Sequence, residues 1–149
     1  MRSRVHAIAG ILGLTLITLF FTASITVELG GGEQAVTQVK LLIVFGLLVL
    51  VPSMIVTGGS GRSLIGRRSS PLIRLKQKRM IAIGTIGLGV LTPCAILLQQ
   101  LSANGDFTTT FYAIQATELI GGAANITLMA LNLRAGLLLT GRIQASKAK

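Results

Sequence analysis

Glu118 is the residue of this chain with the strongest case for chemistry. It falls in the last long apolar stretch, 111–139. Steps of four and three through that stretch pick out one stripe: Phe111, Gln115, Glu118, Gly122, Asn125, Met129, Asn132 and Gly136. Most of the strongly polar groups of the stretch lie on this stripe, and the remaining faces are chiefly Ile, Leu, Ala and Thr. A helix that gathers its amides and its acid on one face and leaves the rest aliphatic is suited to a lipid solvent, with the polar face turned toward protein.

Counting from Phe111 at ~1.5 Å per residue puts Glu118 on the order of 10 Å inside the membrane. A carboxylate there needs a cation or several hydrogen-bond donors, or it takes up a proton. The expected donors are Gln115 and Asn125 on its own helix and hydroxyls such as Thr15, Thr18, Thr22 or Ser53 on others. Such a group suits proton-coupled transport or cation binding, and it equally suits a structural role in cementing a bundle. Asn125 and Asn132, spaced by seven, resemble buried polar positions that set helix register. The candidate ligand- or proton-binding set is therefore Glu118, Gln115, Asn125, Asn132, Thr18 and Thr22.

A second constellation is basic. Arg62, Arg67, Arg68, Arg74, Lys76, Lys78 and Arg79 crowd the middle of the chain, read as a loop over 58–79 that contacts anionic lipid headgroups or another anion. The run Gly58-Gly59-Ser60-Gly61 within it offers backbone amides to an anion, but it lacks the G-K-[S/T] ending of a nucleotide-binding loop. Leu72 and Ile73 between the charges suit a short interfacial helix.

Other chemistries find little support. His6 is the single histidine, whereas a membrane haem centre commonly takes an axial pair. Cys94 is alone in an apolar run and has no partner for an internal disulfide. No cluster has metal-ligand spacing, and no nucleophile–base set can be assembled, so neither a metal, a cofactor nor an enzyme is expected.

The elements that position these residues follow from hydropathy. The chain has 149 residues, enough for one domain, with 51% hydrophobic residues and 12% charged ones gathered in blocks. Four apolar stretches, 6–27, 39–57, 80–101 and 111–139, are each long enough to cross a ~30 Å hydrocarbon layer. The first is too long for the core of a secretory signal and reads as a retained span. The fold class is thus all-α: a four-transmembrane-helix bundle with up-down topology, both termini on the inside and the polar stripe of the fourth helix facing inward.

The net charge of +10 belongs to this arrangement rather than to nucleic-acid binding. Lys40 is the one basic residue outside the N-terminus, the middle segment and the C-terminal part of the chain, while Glu28, Glu33, Asp106 and Glu118 lie in or beside the other two loops. That is the positive-inside bias of a cytoplasmic membrane, and a bacterial inner membrane is the expected home. Lys40 itself is expected to snorkel outward or to pair with Glu28 or Glu33 at the surface. Thr108, Thr109 and Thr110 are expected to cap the fourth helix, with Phe111 and Tyr112 at the outer interface.

The second and third stretches share G-L-x-V-L-x-P, at 46–52 and 87–93. Matching proline kinks in consecutive helices are compatible with an inverted repeat, and Gly84 and Gly87 with close packing of helix three on helix four.

Four helices with one membrane-embedded glutamate resemble the small multidrug resistance transporters. In that family the essential glutamate lies in the first helix of a shorter chain, whereas Glu118 is in the fourth, so no residue role is carried over. Three functions are compatible with these features. The first is a non-catalytic accessory subunit or lipophilic small-molecule-binding module, in a homodimer or larger membrane complex. The second is a proton- or cation-coupled small transporter using Glu118, and the third a quinone- or haem-associated redox subunit.

Overall fold

The computed structural model describes the backbone of residues 2–65 and 70–141 and the side chains of 4–61 and 70–141. The described chain is all-helical: α1 (Arg2–Gly30), α2 (Glu33–Ile65), α3 (Pro71–Ile86), α4 (Thr92–Ala103) and α5 (Thr109–Leu139), with a π-helical turn at Gly87–Leu91 joining α3 to α4. The third span, Pro71–Ala103, is therefore one long helix with a bulge. With α1, α2 and α5 it makes four helices long and apolar enough to cross a membrane. Ile8, Leu19, Leu42, Leu48, Ile81 and Ile120 all stand more than half-exposed on the outside. In water such a surface would drive aggregation; against acyl chains it carries no penalty.

Each helix starts and stops where local chemistry dictates. Gly30, Gly31 and Gly32 end α1 and turn the chain, with the Gly31 amide bonded to the Val27 carbonyl. Ser70 caps α3 by accepting from the Ile73 amide, and Pro71 fills the first helical position, where no amide proton is needed. Gly105, at φ +70°, closes the turn after α4, and the Asp106 amide reaches back to the Leu101 carbonyl. The capping expected of the threonines before α5 is not what forms. Thr108 makes no side-chain cap bond, and its amide instead donates to Asp106 Oδ1 at 3.3 Å. Phe111 also departs from its expected place at the interface. It is wholly buried with Val36 and Leu98, while Tyr112 is exposed.

The basic segment expected as a loop over 58–79 is helical at every described position except the cap residue Ser70. The α2 helix runs on to Ile65 and α3 begins at Pro71. Hydropathy marks where the lipid stops, which is not where a helix must stop. Tertiary contacts keep the glycine-rich turn of α2 helical: His6 of α1 bonds through Nδ1 to the Thr57 carbonyl and Ser60 Oγ, each at 3.1 Å, and Gly61 is buried under Met80 and His6. Leu72 and Ile73 belong to the first turns of α3 rather than to a separate interfacial helix. Arg67 and Arg68 lie outside the described residues, as does the side chain of Arg62.

The two G-L-x-V-L-x-P copies adopt different local structures. Pro52 sits inside an unbroken α2, whereas Pro93 follows the π turn. The variable positions account for this. Thr92 precedes the second proline, and both its amide and its hydroxyl, at 2.9 Å, bond to the Gly87 carbonyl. Val51, at the equivalent place in α2, has no hydroxyl to offer. The two prolines thus sit in different local helix geometries.

Close packing uses glycine selectively. At Gly87 the Met54 thioether and the Asn125 amide occupy the space a side chain would need, while Gly84, expected to act alongside it, meets nothing within 4 Å. At Gly46 a Cβ would overlap the ring of Phe20. Gly46→Ala is accordingly expected to cost about 1–3 kcal/mol through overpacking. Thermal unfolding in detergent should show a lower midpoint for this variant, largely restored in a Phe20→Ala background.

Candidate functional site

The polar stripe of α5 faces protein. Phe111, Gln115, Gly122, Asn125 and Asn132 are buried, and Glu118, Met129 and Gly136 are partly so. Glu118 meets a cation. Lys40 Nζ lies 2.6 Å from Glu118 Oε2 and donates a second bond to Ser24 Oγ at 3.1 Å. The Lys40 side chain is 0% exposed and that of Glu118 12%. Lys40 therefore neither snorkels nor makes a surface pair. It occupies the inward stripe of α2 with Val36, Ile43 and Leu50, all buried, and its ammonium joins α1, α2 and α5. The reason is geometric. Its helical phase points it at the bundle axis, where only a carboxylate on a facing helix offsets the loss of hydration.

A second carboxylate stands near. Glu28 of α1 interacts electrostatically with both Lys40 and Glu118, and its Oε1 is buried without a hydrogen bond. The Thr37 hydroxyl bonds to the Ser102 carbonyl at 3.1 Å, so α4 is tied to α2 at this end as well. Below the pair a small cavity of about 50 Å³ is lined by Ser24 and Glu118 together with apolar groups including Phe21, Leu47 and Met54. Asn125 is wholly buried, and neither its Nδ2 nor its Oδ1 has a protein partner; Gln115 is in the same state.

Thr18 and Thr22, expected as donors to Glu118, are not part of this site. Both are exposed on the outer face of α1, and their hydroxyls return to its carbonyls at Leu14 and Thr18, each at 2.8 Å. Thr15 is exposed too, and Ser53, though buried, bonds to the Val49 carbonyl of its own helix. The hydroxyl at the pair is Ser24, which sequence reasoning missed. It missed Lys40 as well, although the spacing of Val36, Lys40, Ile43, Leu47 and Leu50 in fours and threes places the lysine on an apolar inward seam.

The opposite end of the bundle is open. A cleft of about 650 Å³ lies between the start of α1, the end of α2, the start of α3 and the end of α5. Its walls are largely apolar, with Ile11, Leu14, Met80, Leu133 and Leu137 among them, and Arg4, His6 and Lys76 also line it. Lys76 is half-buried, and a Cβ placed on Gly136 of α5 would lie 3.1 Å from its Nζ. Asn132 donates from Nδ2 to the Lys76 carbonyl at 3.3 Å; its Oδ1 is buried and accepts nothing. Arg74 and Lys78 are exposed, Arg79 partly so, and none of the three lines the cleft. Among the described members of the basic set, Lys76 alone is thus brought to this cavity. Met54 lines both the cleft and the small cavity and divides them.

Among the described residues, no three His, Cys, Asp or Glu side chains gather as metal ligands would. Comparison with protein-family models, with curated proteins and with solved structures finds no match to the chain.

Breaking a buried ion pair leaves one charge stranded, at about 3–5 kcal/mol, whereas replacing both partners by apolar groups of similar size is often neutral. Lys40→Met should therefore destabilise the protein strongly, and Lys40→Met with Glu118→Leu should recover most of the loss. Thermal unfolding of Lys40→Met, Glu118→Leu and the double variant measures this; a double loss equal to the sum of the two single losses would show that the two charges do not depend on each other.

Proposed function

We propose that this protein is a non-catalytic, multi-pass membrane module that binds a lipophilic small molecule in its open cleft. The observation that carries this reading is the cleft itself. It has the volume typical of small-molecule sites, about 300–1,000 Å³, with predominantly apolar walls and a few polar groups at one end. The helices form an up-down bundle in a bacterial inner membrane, with both termini and the basic end on the cytoplasmic side, in keeping with the segregation of basic and acidic residues. The lipid bilayer is the immediate partner, and a homodimer or larger complex is compatible with the apolar exterior. A site of this kind suits an accessory subunit that presents or sequesters a lipophilic ligand.

The second reading is proton- or cation-coupled transport through Glu118, favoured by the small cavity that Glu118 and Ser24 line beside the ion pair. In that case Glu118→Gln abolishes flux in liposomes, and unaltered flux removes the idea.

For the binding reading, a solvatochromic lipophilic dye added to the detergent-purified protein should gain fluorescence. Leu133→Trp, which fills the cleft, should reduce that gain severalfold without lowering the unfolding midpoint. An equal signal from both proteins would mean that the dye sits on the general apolar surface, and the binding reading would fall.

A further inference from the structure

The cleft carries cations that the protein itself does not neutralise. Arg4, His6 and Lys76 line it. All four acidic side chains of the chain, Glu28, Glu33, Asp106 and Glu118, lie elsewhere: Glu118 is paired with Lys40, Glu28 is near that pair, and Glu33 and Asp106 flank the turns on either side of it. No side-chain carboxylate is thus left for the cleft. Lys76 is the telling group. It is half-buried among apolar side chains beside Gly136, and hydration of its ammonium is curtailed there without a side-chain carboxylate as counter-ion. An anion is therefore wanted beside Lys76, in a cavity whose walls are largely apolar.

We infer that the cleft seats one anionic phospholipid drawn from the surrounding bilayer, with its phosphate at Lys76 and one acyl chain between α1 and α5. This rests on the binding reading above and names its ligand. Charge complementarity selects the headgroup: a phosphodiester supplies the counter-charge to Lys76 and Arg4, which both line the cleft. The His6 Nδ1 bonds to the Thr57 carbonyl and Ser60 Oγ hold the end of α2 against α1, which keeps this side of the cleft in place. The apolar wall of Ile11, Leu14, Leu133 and Leu137 matches an acyl chain rather than a free anion. Such a lipid is a bound ligand, distinct from the annular shell that touches Ile8 or Leu19 on the exterior.

The test is native mass spectrometry of the full chain released from nanodiscs made of equal parts phosphatidylglycerol and phosphatidylcholine. The expected result is one phosphatidylglycerol retained per chain, in clear preference to phosphatidylcholine. Lys76→Gln should reduce that retention about fivefold, the effect of one cation near a lipid surface. Should that variant fold poorly, Arg4→Gln reads the same contribution, and Ala7→Trp, which fills the cleft, should abolish retention. Equal retention of the two lipids, or undiminished phosphatidylglycerol on both Lys76→Gln and Arg4→Gln, overturns the headgroup assignment and leaves the lipophile-binding reading standing. Displacement of the lipid by excess inorganic phosphate points to a free anion and also overturns it. Retention unchanged by Ala7→Trp, together with failure of the dye experiment, removes both.

Discussion

An ammonium group cannot be left alone inside a bundle whose outer solvent is hydrocarbon, and the placement of Lys40 sets the terms for the rest of this structure. Its side chain is entirely enclosed and is held by Glu118 and Ser24. Three helices are thereby fixed in rotation about their axes. Turning α2 by a fraction of a turn would carry Lys40 toward acyl chains, and turning α1 or α5 would remove Ser24 or Glu118 from reach. Dispersion forces between apolar helices in lipid discriminate poorly among such rotations, since Leu against Leu and Leu against an acyl chain are nearly equivalent. A charge pair discriminates sharply, because the wrong register strands an ion. The pair is thus better understood as a device of specificity than as a large net source of stability.

That constraint also explains why the two ends of the bundle differ. At the end bearing the pair, Val36, Leu98 and Phe111 form a tight apolar cluster, and Thr37 ties α2 to α4. At the other end the cations have no acidic partners, so nothing draws α3 and α5 against α1 and α2 as firmly, and a cleft remains between them. Met54, wedged against Gly87 at the π turn, is where the packed half gives way to the open half. The π turn contributes directly. It frees the helix from strict α geometry at the level where the Met54 and Asn125 side chains press on Gly87, and Thr92 compensates the Gly87 carbonyl for the irregular hydrogen bonding that results.

Much of this architecture was legible in the residues alone, for a physical reason. A helix in lipid must segregate its amides, so the α5 stripe from Phe111 to Gly136 could be read at once, and its members lie inward as spacing required. Four spans were readable because hydrocarbon thickness imposes a minimum length. Helix ends were not, because Ser53, Thr57, Ser60 and His6 sustain helical structure past the apolar stretch through contacts that hydropathy does not record. Lys40 was misjudged because its nearest acids in sequence, Glu28 and Glu33, offered an easy surface pairing; the partner it takes lies 78 residues away. Thr18 and Thr22 were misjudged for the converse reason. A threonine in a helix can satisfy its hydroxyl on the preceding turn, so its polarity says nothing about which way it faces.

The ion pair bears on the choice between binding and transport. A proton moving from Lys40 to Glu118 along their 2.6 Å contact converts an ion pair into a neutral amine and acid without changing the charge of the site. Coupled transport needs a site whose net charge changes as a proton or cation enters and leaves. The pair alone has none to offer, because protonating Glu118 strands Lys40 and deprotonating Lys40 strands Glu118. The additional group within reach is Glu28, whose buried Oε1 has no protein partner. A transport cycle in this fold would therefore have to run through Glu28 as well as Glu118, with Lys40 as the fixed counter-charge between two carboxylates. The binding reading makes no such demand: it needs the pair only to hold the closed half of the bundle rigid while the open half receives its ligand.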